Sequence, residues 1–348
     1  PTQNFFELGG NSFLALRLLA QVNRRMGSNL HVASLFTGAT VRQMAQAIRE
    51  QSRPERAAAT AETPIVALQP QGTLPPLYCV HPSDRRVLSY MNIVRSLGTE
   101  QPVYGVQDLG EDMSRPVPRI AQDHVEALRA LQPEGPYYLA GWSFGGFVAY
   151  EMASLLERQG QTVADLGVLD TMSPILAQER MSFTETDLLI GVAGDVAEQS
   201  GNHFPIPHAA LEGLTLDEKF QRAVEMLHAR NAAPRNFDAA ALRAQCQVIL
   251  DRTTSLRGYA PGPFSGTITL YRASSVQEEY ARFFDGRPEE EQRTLGWSAV
   301  SPRPVEVHHV PGTHNLIGSE PNVGVLAQRI RESLALARAR VQAGEVAR

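Results

Sequence analysis

Cysteine is scarce in this chain, with Cys79 and Cys246 the only two among 348 residues. Two thiols cannot build a disulfide framework or a cysteine metal cage, and this usage suits a reducing compartment. No apolar run approaches the roughly 18–20 residues that a membrane-spanning helix requires, and no secretory signal pattern opens the chain. We therefore expect a cytoplasmic protein without a membrane partner.

Charge is also modest, since 32 basic and 37 acidic residues give a formal net charge of −5. Such a chain has no basic field to hold a polyanion, so nucleic acid is not an expected ligand. The hydrophobic share of 43% is sufficient for a large buried core, and the length suffices for two domains. The sequence begins at Pro1 rather than at a methionine, and we expect it to be a piece of a longer protein.

The strongest pattern in the sequence is a Gly-Trp-Ser-Phe-Gly turn centred on Ser143. The apolar run Tyr137–Ala140 before it predicts a buried strand, and Phe147–Gln159 after it predicts a helix. A serine on such a strained turn requires small residues two positions before and after it. Gly141 and Gly145 meet this requirement. The alternative is an ordinary glycine-rich turn that contains a serine, but the flanking elements favour a nucleophile.

Strands and helices alternate from Ile65 onward, which predicts a mostly parallel sheet covered on both faces. The predicted strands are Leu77–Val80, Val103–Val106, Tyr137–Ala140, Asp165–Asp170, Gly266–Tyr271 and Val305–Val310. The predicted helices of this layer are Leu88–Leu97, Ile120–Leu131, Phe147–Gln159 and Asn322–Arg340. Between about 173 and 259 no strong strand pattern occurs, and the helical segments Thr184–Gln199, Leu216–Arg230 and Ala239–Leu256 predict a lid.

Candidate partners for the serine follow from chain order. A serine hydroxyl needs a base, and the base needs a carboxylate that fixes its tautomer. In α/β-hydrolases these groups follow as Ser, Asp or Glu, and His. Asp170 ends the strand after the nucleophile helix, and His314 lies in the Pro-Gly loop after the last strand. We predict Ser143 as nucleophile, Asp170 as acid and His314 as base, although Asp170 could instead cap a turn.

Two further histidines compete with His314 for the role of base. His308 and His309 lie inside the last predicted strand, so one should face the core and the other solvent. His314 lies beyond that strand, where a base is expected. The three histidines together suggest a metal cluster, but no acidic or cysteine ligands obviously complete it, and we expect no metal.

The carbonyl under attack becomes an oxyanion and needs preorganised donors. The N–H of Phe144, directly after the nucleophile, is one candidate. The second should come from the loop after the first strong strand, His-Pro-Ser at 81–83, and we choose the N–H of Ser83.

The first 50 residues predict a small helical unit. Phe13–Met26 has one apolar face, a short turn follows at Ala33–Phe36, and Thr40 caps a last helix. Residues 51–64 lack apolar periodicity and contain prolines near both ends, which predicts a linker.

The string Phe5–Ser12 resembles the segment of nonribosomal peptide synthetase carrier domains whose serine bears 4′-phosphopantetheine. The resemblance implies attachment of 4′-phosphopantetheine to Ser12, at a helix N-terminus where a phosphodiester is favoured. A serine that only caps its helix is the alternative. Asn11 stands where the family usually has His or Asp, and the first helix of the family is absent, which implies a truncated carrier domain.

The remainder, about residues 63–340, resembles the thioesterase domains that follow such carriers. The resemblance rests on Cys79–Pro82, Gly141–Gly146, Leu169–Thr171 and Val310–His314. It implies an α/β-hydrolase fold over residues 65–340 with a helical lid at about 173–259. It also implies nucleophile Ser143, acid Asp170, base His314, and oxyanion amides at Phe144 and Ser83.

One departure from the thioesterase pattern is the loop that contains Arg85 and Arg86, where the family is commonly small and glycine-rich. Two interpretations remain open. The arginines could meet an acidic substrate group or the pantetheine phosphate, or they could be solvated loop charges, which we favour.

Together the two resemblances imply a chain-terminating serine thioesterase. It would take a peptidyl thioester from the carrier onto Ser143 and release it by hydrolysis or macrocyclisation. The implied partners are upstream condensation and adenylation domains and a phosphopantetheinyl transferase. The alternatives are a catalytically inactive hydrolase-fold module that binds a carrier, and a stand-alone serine esterase.

Overall fold

The computed structural model describes residues 3, 5, 12–26, 28, 40–51, 63–85, 87–275 and 283–345. Two N-terminal helices, α1 (Ser12–Met26) and α2 (Val41–Gln51), confirm the helices predicted there. They pack through buried Leu19 and Met44. The predicted turn at 33–36, most of the 51–64 linker, and the carrier-like string before Ser12 lie outside the described residues apart from Phe5.

A seven-stranded sheet forms the centre of the larger part of the chain. Its strands are β1 (Ile65–Gln69), β2 (Leu77–Val80), β3 (Val103–Val106), β4 (Tyr137–Trp142), β5 (Val163–Leu169), β6 (Ile268–Ala273) and β7 (Glu306–Val310). They lie in the order β1-β3-β2-β4-β5-β6-β7. Among the described strands, β1 at one edge pairs antiparallel with β3, and the other pairs are parallel.

Helices cover both faces of this sheet, as the sequence pattern predicts. They are α3 (Met91–Leu97), α4 (Val117–Leu131), α5 (Phe144–Arg158) and α11 (Val323–Gln342), and the short α10 (Glu289–Arg293) accepts hydrogen bonds from Arg272 of β6. Helices α4 and α5 pack on one face, around Ile120 and Val148. Helices α3 and α11 pack on the other, around Ile93 and Leu326. Central strands β2, β4 and β5 are buried along their whole length because both of their faces are covered.

The regular elements between β5 and β6 are all helices, joined by loops, which confirms the helical insertion predicted there. It contains α6 (Pro174–Glu179), α7 (Glu185–Gln199), α8 (Leu216–Ala229) and α9 (Ala239–Leu256). Helices α7, α8 and α9 share an apolar core of their own, centred on Leu189, Phe220 and Leu242. Thr184 and Thr215 begin α7 and α8 with capping boxes, which explains why those helix starts could be predicted. Helix α6 was not predicted.

The turn between β4 and α5 is tighter than the sequence suggested. We predicted a strand that ends at Ala140 and a helix that begins at Phe147, but β4 continues to Trp142 and α5 begins at Phe144. Ser143 alone separates the two elements. Gly145 and Gly146 argued against a helix at this point, because glycine has low helix propensity. Close packing nevertheless leaves no room for a side chain at either position.

Tyr90, the residue directly before α3, connects the ends of β2 and β4. The hydroxyl of Tyr90, which is fully buried, donates to the carbonyl of Val80 at 2.7 Å. It also accepts the N–H of Trp142 at 2.7 Å. Regular pairing of β2 with β4 ends at Val80 and Gly141, so this hydroxyl satisfies backbone groups that the ladder no longer reaches, next to Ser143.

We expect Tyr90→Phe to destabilise the fold by about 1–3 kcal/mol, because it leaves a buried N–H and a buried carbonyl without a partner. Tyr138→Phe is the matched control. Tyr138 is also buried in the sheet, but within the described part of the chain no hydrogen bond of its hydroxyl is recorded. Urea unfolding of both variants checks the prediction, and an equal effect of the two substitutions would contradict it.

Candidate active site

Ser143 has a backbone conformation that an L-residue rarely adopts, with φ 55° and ψ −128°. It stands between the carboxyl end of β4 and the first turn of α5. The glycines on either side permit this geometry. A Cβ on Gly141 would overlap the carbonyl of Gly145, and a Cβ on Gly145 would lie 2.5 Å from the carbonyl oxygen of Val80. Ser143 therefore lies on a strained strand-to-helix turn with the geometry of a nucleophile elbow, and packing against the end of β2 maintains that strain.

Asp170 and His314 meet at the same edge of the sheet. Asp170 directly follows β5, and its Oδ1 accepts the N–H of Ala273 at 2.8 Å. Its Oδ2 lies 3.0 Å from Nδ1 of His314. This contact assigns the proton to Nδ1 and leaves Nε2 free as an acceptor.

The surroundings of His314 favour its charged form. Desolvation lowers the pKa of His314, but its hydrogen bond to Asp170 and the negative charges of Asp170 and Asp195 raise it, and the net pKa is above the ordinary value. Burial raises the pKa of Asp195, and the hydrogen bond from Asn315 opposes that rise. An imidazolium at this position is thus stabilised by two carboxylates.

The lid contacts the histidine loop through Asn315, the residue after His314. Its side-chain amide donates to Asp195 at 2.8 Å and to Glu198 at 2.9 Å, and both carboxylates lie on α7. Sequence reasoning missed these lid residues because acidic residues on a helix normally face solvent, and nothing in their spacing relates them to a loop more than 100 residues away.

Ser143, Asp170 and His314 all line one cavity of about 680 Å³ between the lid and the sheet. Its wall combines apolar side chains such as Phe147, Val192 and Leu256 with the acidic residues of α7. This size is typical of a small-molecule or peptide pocket. Within the described part of the chain, the hydrogen bonds recorded for the His314 ring go to Asp170 and none goes to Ser143. Catalytic contacts of this kind often tighten only when substrate is present.

The competing histidines point elsewhere. His308 stacks on Tyr271, and its Nε2 lies 3.3 Å from the hydroxyl of Ser333 on α11. His309 is exposed on β7. Among the described residues, no group of three metal-ligating side chains forms a candidate metal site.

The two predicted oxyanion donors lie beside the elbow rather than in the cavity wall. Phe144 opens α5, so its N–H has no carbonyl one turn earlier in the helix. Ser83 follows β2, whose end contacts the elbow through Gly145. In the described part of the chain, neither amide donates a recorded hydrogen bond to another group. Neither amide therefore has a protein acceptor in this part of the chain, as an oxyanion donor requires.

Arg85 has a bonded partner, unlike a solvated loop charge. It is half-buried, and its guanidinium donates to the carbonyl of Gly110. Arg86 lies outside the described residues. Arg85, in the loop that departs from the thioesterase pattern, thus connects that loop to the one that contains Gly110.

Ser12 is the first residue of α1, a helix of 15 residues. The first N–H groups of a helix lack internal partners and favour an anion. Attachment of 4′-phosphopantetheine to Ser12 stays a prediction.

Within the described residues, no helix is long and apolar enough to span a bilayer.

Comparison with known proteins identifies both parts of the chain. Residues 75–334 match the family of the thioesterase domain, and residues 1–48 match the phosphopantetheine attachment site. The phosphopantetheine match supports 4′-phosphopantetheine as the cofactor of the N-terminal part.

Similar full-length proteins are much longer than this chain. Malpibaldin synthetase of Mortierella alpina is 28% identical over 341 residues, which are 95% of this chain and 5% of that protein. A dimodular nonribosomal peptide synthase of Bacillus subtilis is 29% identical over 278 residues, 79% of this chain and 11% of that protein. The chain thus spans a small part of the curated relatives it matches.

A solved structure resembles nearly all of the chain. The crystal structure of a holo four-domain nonribosomal peptide synthetase bound to AMP and glycine aligns with a TM-score of 0.66 and 28% identity. The alignment covers 95% of this chain and 24% of that one. The elbow, the parallel sheet and the family match lead to one conclusion: the chain belongs to the thioesterase domain family and has an α/β-hydrolase fold with a helical lid.

Proposed function

We propose that this chain releases a finished peptide from a nonribosomal peptide synthetase. The single observation that carries the proposal is the grouping of Ser143, Asp170 and His314 on one lidded cavity, in a chain that also carries a phosphopantetheine attachment segment. A carrier directly before a thioesterase supplies its substrate at high effective concentration. The substrate class is therefore a peptidyl thioester.

In the proposed mechanism, Nε2 of His314 accepts the proton of the Ser143 hydroxyl as Oγ attacks the acyl carbonyl. The resulting oxyanion accepts hydrogen bonds from the amides of Phe144 and Ser83. Asp170 holds the imidazole in its tautomer and stabilises its cationic form. His314 then protonates the leaving thiolate, and the acyl group remains as an ester on Ser143.

Release repeats these steps with a second nucleophile. His314 removes a proton from water, or from an amine or hydroxyl of the same peptide, and that nucleophile attacks the ester on Ser143. The products are a free acid or a macrocycle, together with the restored serine hydroxyl. A lid that excludes water would favour the macrocycle, and one that admits water would favour the free acid.

Ser12 is the proposed attachment residue of 4′-phosphopantetheine. When bound, this group supplies the thiol that carries the peptide as a thioester. Its position at the start of α1 favours the phosphodiester. A phosphopantetheinyl transferase would install the group, and condensation and adenylation domains would supply the peptide, in the cytoplasm.

We expect Ser143→Ala to abolish release of acyl thioester while leaving carrier loading unchanged, because the substitution removes the attacking oxygen but no residue of α1 or α2. Turnover of a soluble acyl cysteamine thioester, with mass spectrometry of the intact chain, measures both properties. Ser173→Ala is a control serine outside the triad. Continued turnover by Ser143→Ala would contradict the proposal, and turnover of simple esters alone would favour the stand-alone esterase.

Ser12→Ala should prevent attachment of 4′-phosphopantetheine but leave hydrolysis of a soluble thioester intact, since the two sites are chemically separate. Incubation with coenzyme A and a phosphopantetheinyl transferase, followed by intact-mass measurement, tests this. Ser28→Ala, at another serine of the N-terminal part, should still gain one group. Loading of the Ser12→Ala chain would reassign the attachment site.

The pH dependence follows from the raised pKa of His314. The base acts in its neutral form, so kcat/KM should fall as pH drops through this pKa, above the unperturbed value of about 6.5. Asp195→Asn removes one of the carboxylates that raise the pKa, and should move this acid limb to lower pH. Glu179→Gln, in the same cavity but paired with Arg287, should leave it in place. A flat profile from about pH 5 to 8 would argue against His314 as the base.

A further inference from the structure

A buried arginine of the lid lies directly behind the proposed oxyanion hole. Arg252, near the end of α9, is only 3% exposed. Its Nε donates to the carbonyl of Ser83 at 3.0 Å, and Nη1 donates to the carbonyl of Met113 at 2.9 Å. The guanidinium carbon lies 4.3 Å from the centre of the Phe144 ring. One side chain thus contacts both residues whose amides we assign to the oxyanion.

These two residues belong to separate segments of the chain. Ser83 lies on the loop after β2, and Phe144 begins α5 on the other side of the elbow. An oxyanion hole needs both amides at a fixed distance from the reacting carbonyl, with donors within about 3 Å. A planar guanidinium that hydrogen-bonds one residue and stacks on the other is well suited to fix their spacing.

Stability alone does not explain a charge in this position. The nearest carboxylate, that of Asp108, lies 3.8 Å from Nη2, which is beyond hydrogen-bond distance. Within the described residues, both Nη2 of Arg252 and Oδ2 of Asp108 are buried without a hydrogen-bond partner. Desolvation lowers the pKa of Arg252 to about 10. A buried charge so incompletely paired is poor evidence of a stabilising role.

We propose that Arg252 is a positioning residue for the oxyanion hole. It couples the position of lid helix α9 to the geometry of the segments that contain Ser83 and Phe144. The proposal rests on the function proposed above. The bond to the carbonyl of Ser83 restrains the orientation of that residue's backbone, and the stacked ring restrains Phe144. A second bond from α9, in which the hydroxyl of Ser255 donates to Met113 at 3.1 Å, secures the same end of the helix.

Arg252→Met and Arg252→Lys test the proposal. Met retains bulk without charge or donors, and Lys retains the charge without the planar fork. We expect both to lower kcat for a soluble acyl thioester by about tenfold to a hundredfold, with little change in KM, because the amides serve the transition state. The rate of Ser143 trapping by a phosphonate reagent should fall in parallel, since its phosphoryl oxygen requires the same donors.

Arg243→Met is the matched control. Arg243 lies on the same helix, stacks 4.3 Å over the ring of Phe220, and pairs with Asp217, but it is remote from the elbow. Its kcat and trapping rate should equal those of the unaltered chain. The thermal unfolding midpoints of all variants separate a local change of geometry from loss of fold, and Arg252→Lys remains informative where Arg252→Met does not fold.

Three results would overturn the inference. They are wild-type kcat in both Arg252 variants, a loss confined to KM, and full activity in Arg252→Lys, which would make the charge rather than the fork responsible. Each leaves the proposed function standing. An unaltered chain that fails to acylate Ser143 would instead contradict the proposed function itself.

Discussion

The close approach of two backbones at the elbow is the constraint on which the active site depends. α5 begins so near the end of β2 that a Cβ at Gly145 would lie 2.6 Å from the carbonyl oxygen of His81. Glycine has no side chain to clash there, so the chain can turn from strand to helix within one residue. Ser143, at that turn, adopts a φ of 55°. The same approach brings the loop that holds Ser83 beside Phe144. Ser143 and the two proposed oxyanion donors are thus placed by one packing contact.

The lid does more than cover the cavity, because its helices contact both the His314 loop and the proposed oxyanion donors. Helix α7 receives the hydrogen bonds of Asn315, next to the proposed base. Helix α9 carries Arg252 against Ser83 and Phe144. A lid connected in this way restrains the histidine loop and the oxyanion loop together. A displaced lid would therefore leave the elbow intact but release both of its partners.

The sheet and its covering helices were largely predictable, because the spacing of apolar residues and the turns between segments indicate strands and helices. Strands β2 and β3 occur where the apolar runs Leu77–Val80 and Val103–Val106 place them. Chain order and loop position suggested Asp170 and His314, and the structure brings these two within 3.0 Å of each other. Their catalytic roles stay predictions.

The lid's contacts with the site could not be predicted, for a physical reason. Arg252 lies in a helix of modest amphipathicity, where an arginine is normally solvated, and only tertiary packing reveals that it is buried. Asp195 and Glu198 resemble any exposed acidic pair on a helix. The start of α5 was misplaced because glycine has low intrinsic helix propensity, whereas here close packing against β2 and Thr171 requires it.

The charges around Ser143 are arranged as the proposed reaction requires. During attack, positive charge develops on the imidazole and negative charge on the acyl oxygen. The carboxylates of Asp170 and Asp195 lie on the histidine side, where they raise the pKa of His314. The guanidinium of Arg252 lies on the other side, behind the amides that would bind the oxyanion. Because these groups are held in place before the substrate enters, the field they create needs little reorganisation as the charges separate. Lid residues supply one charge on each side, so the lid contributes to the electrostatics of the site as well as to its walls.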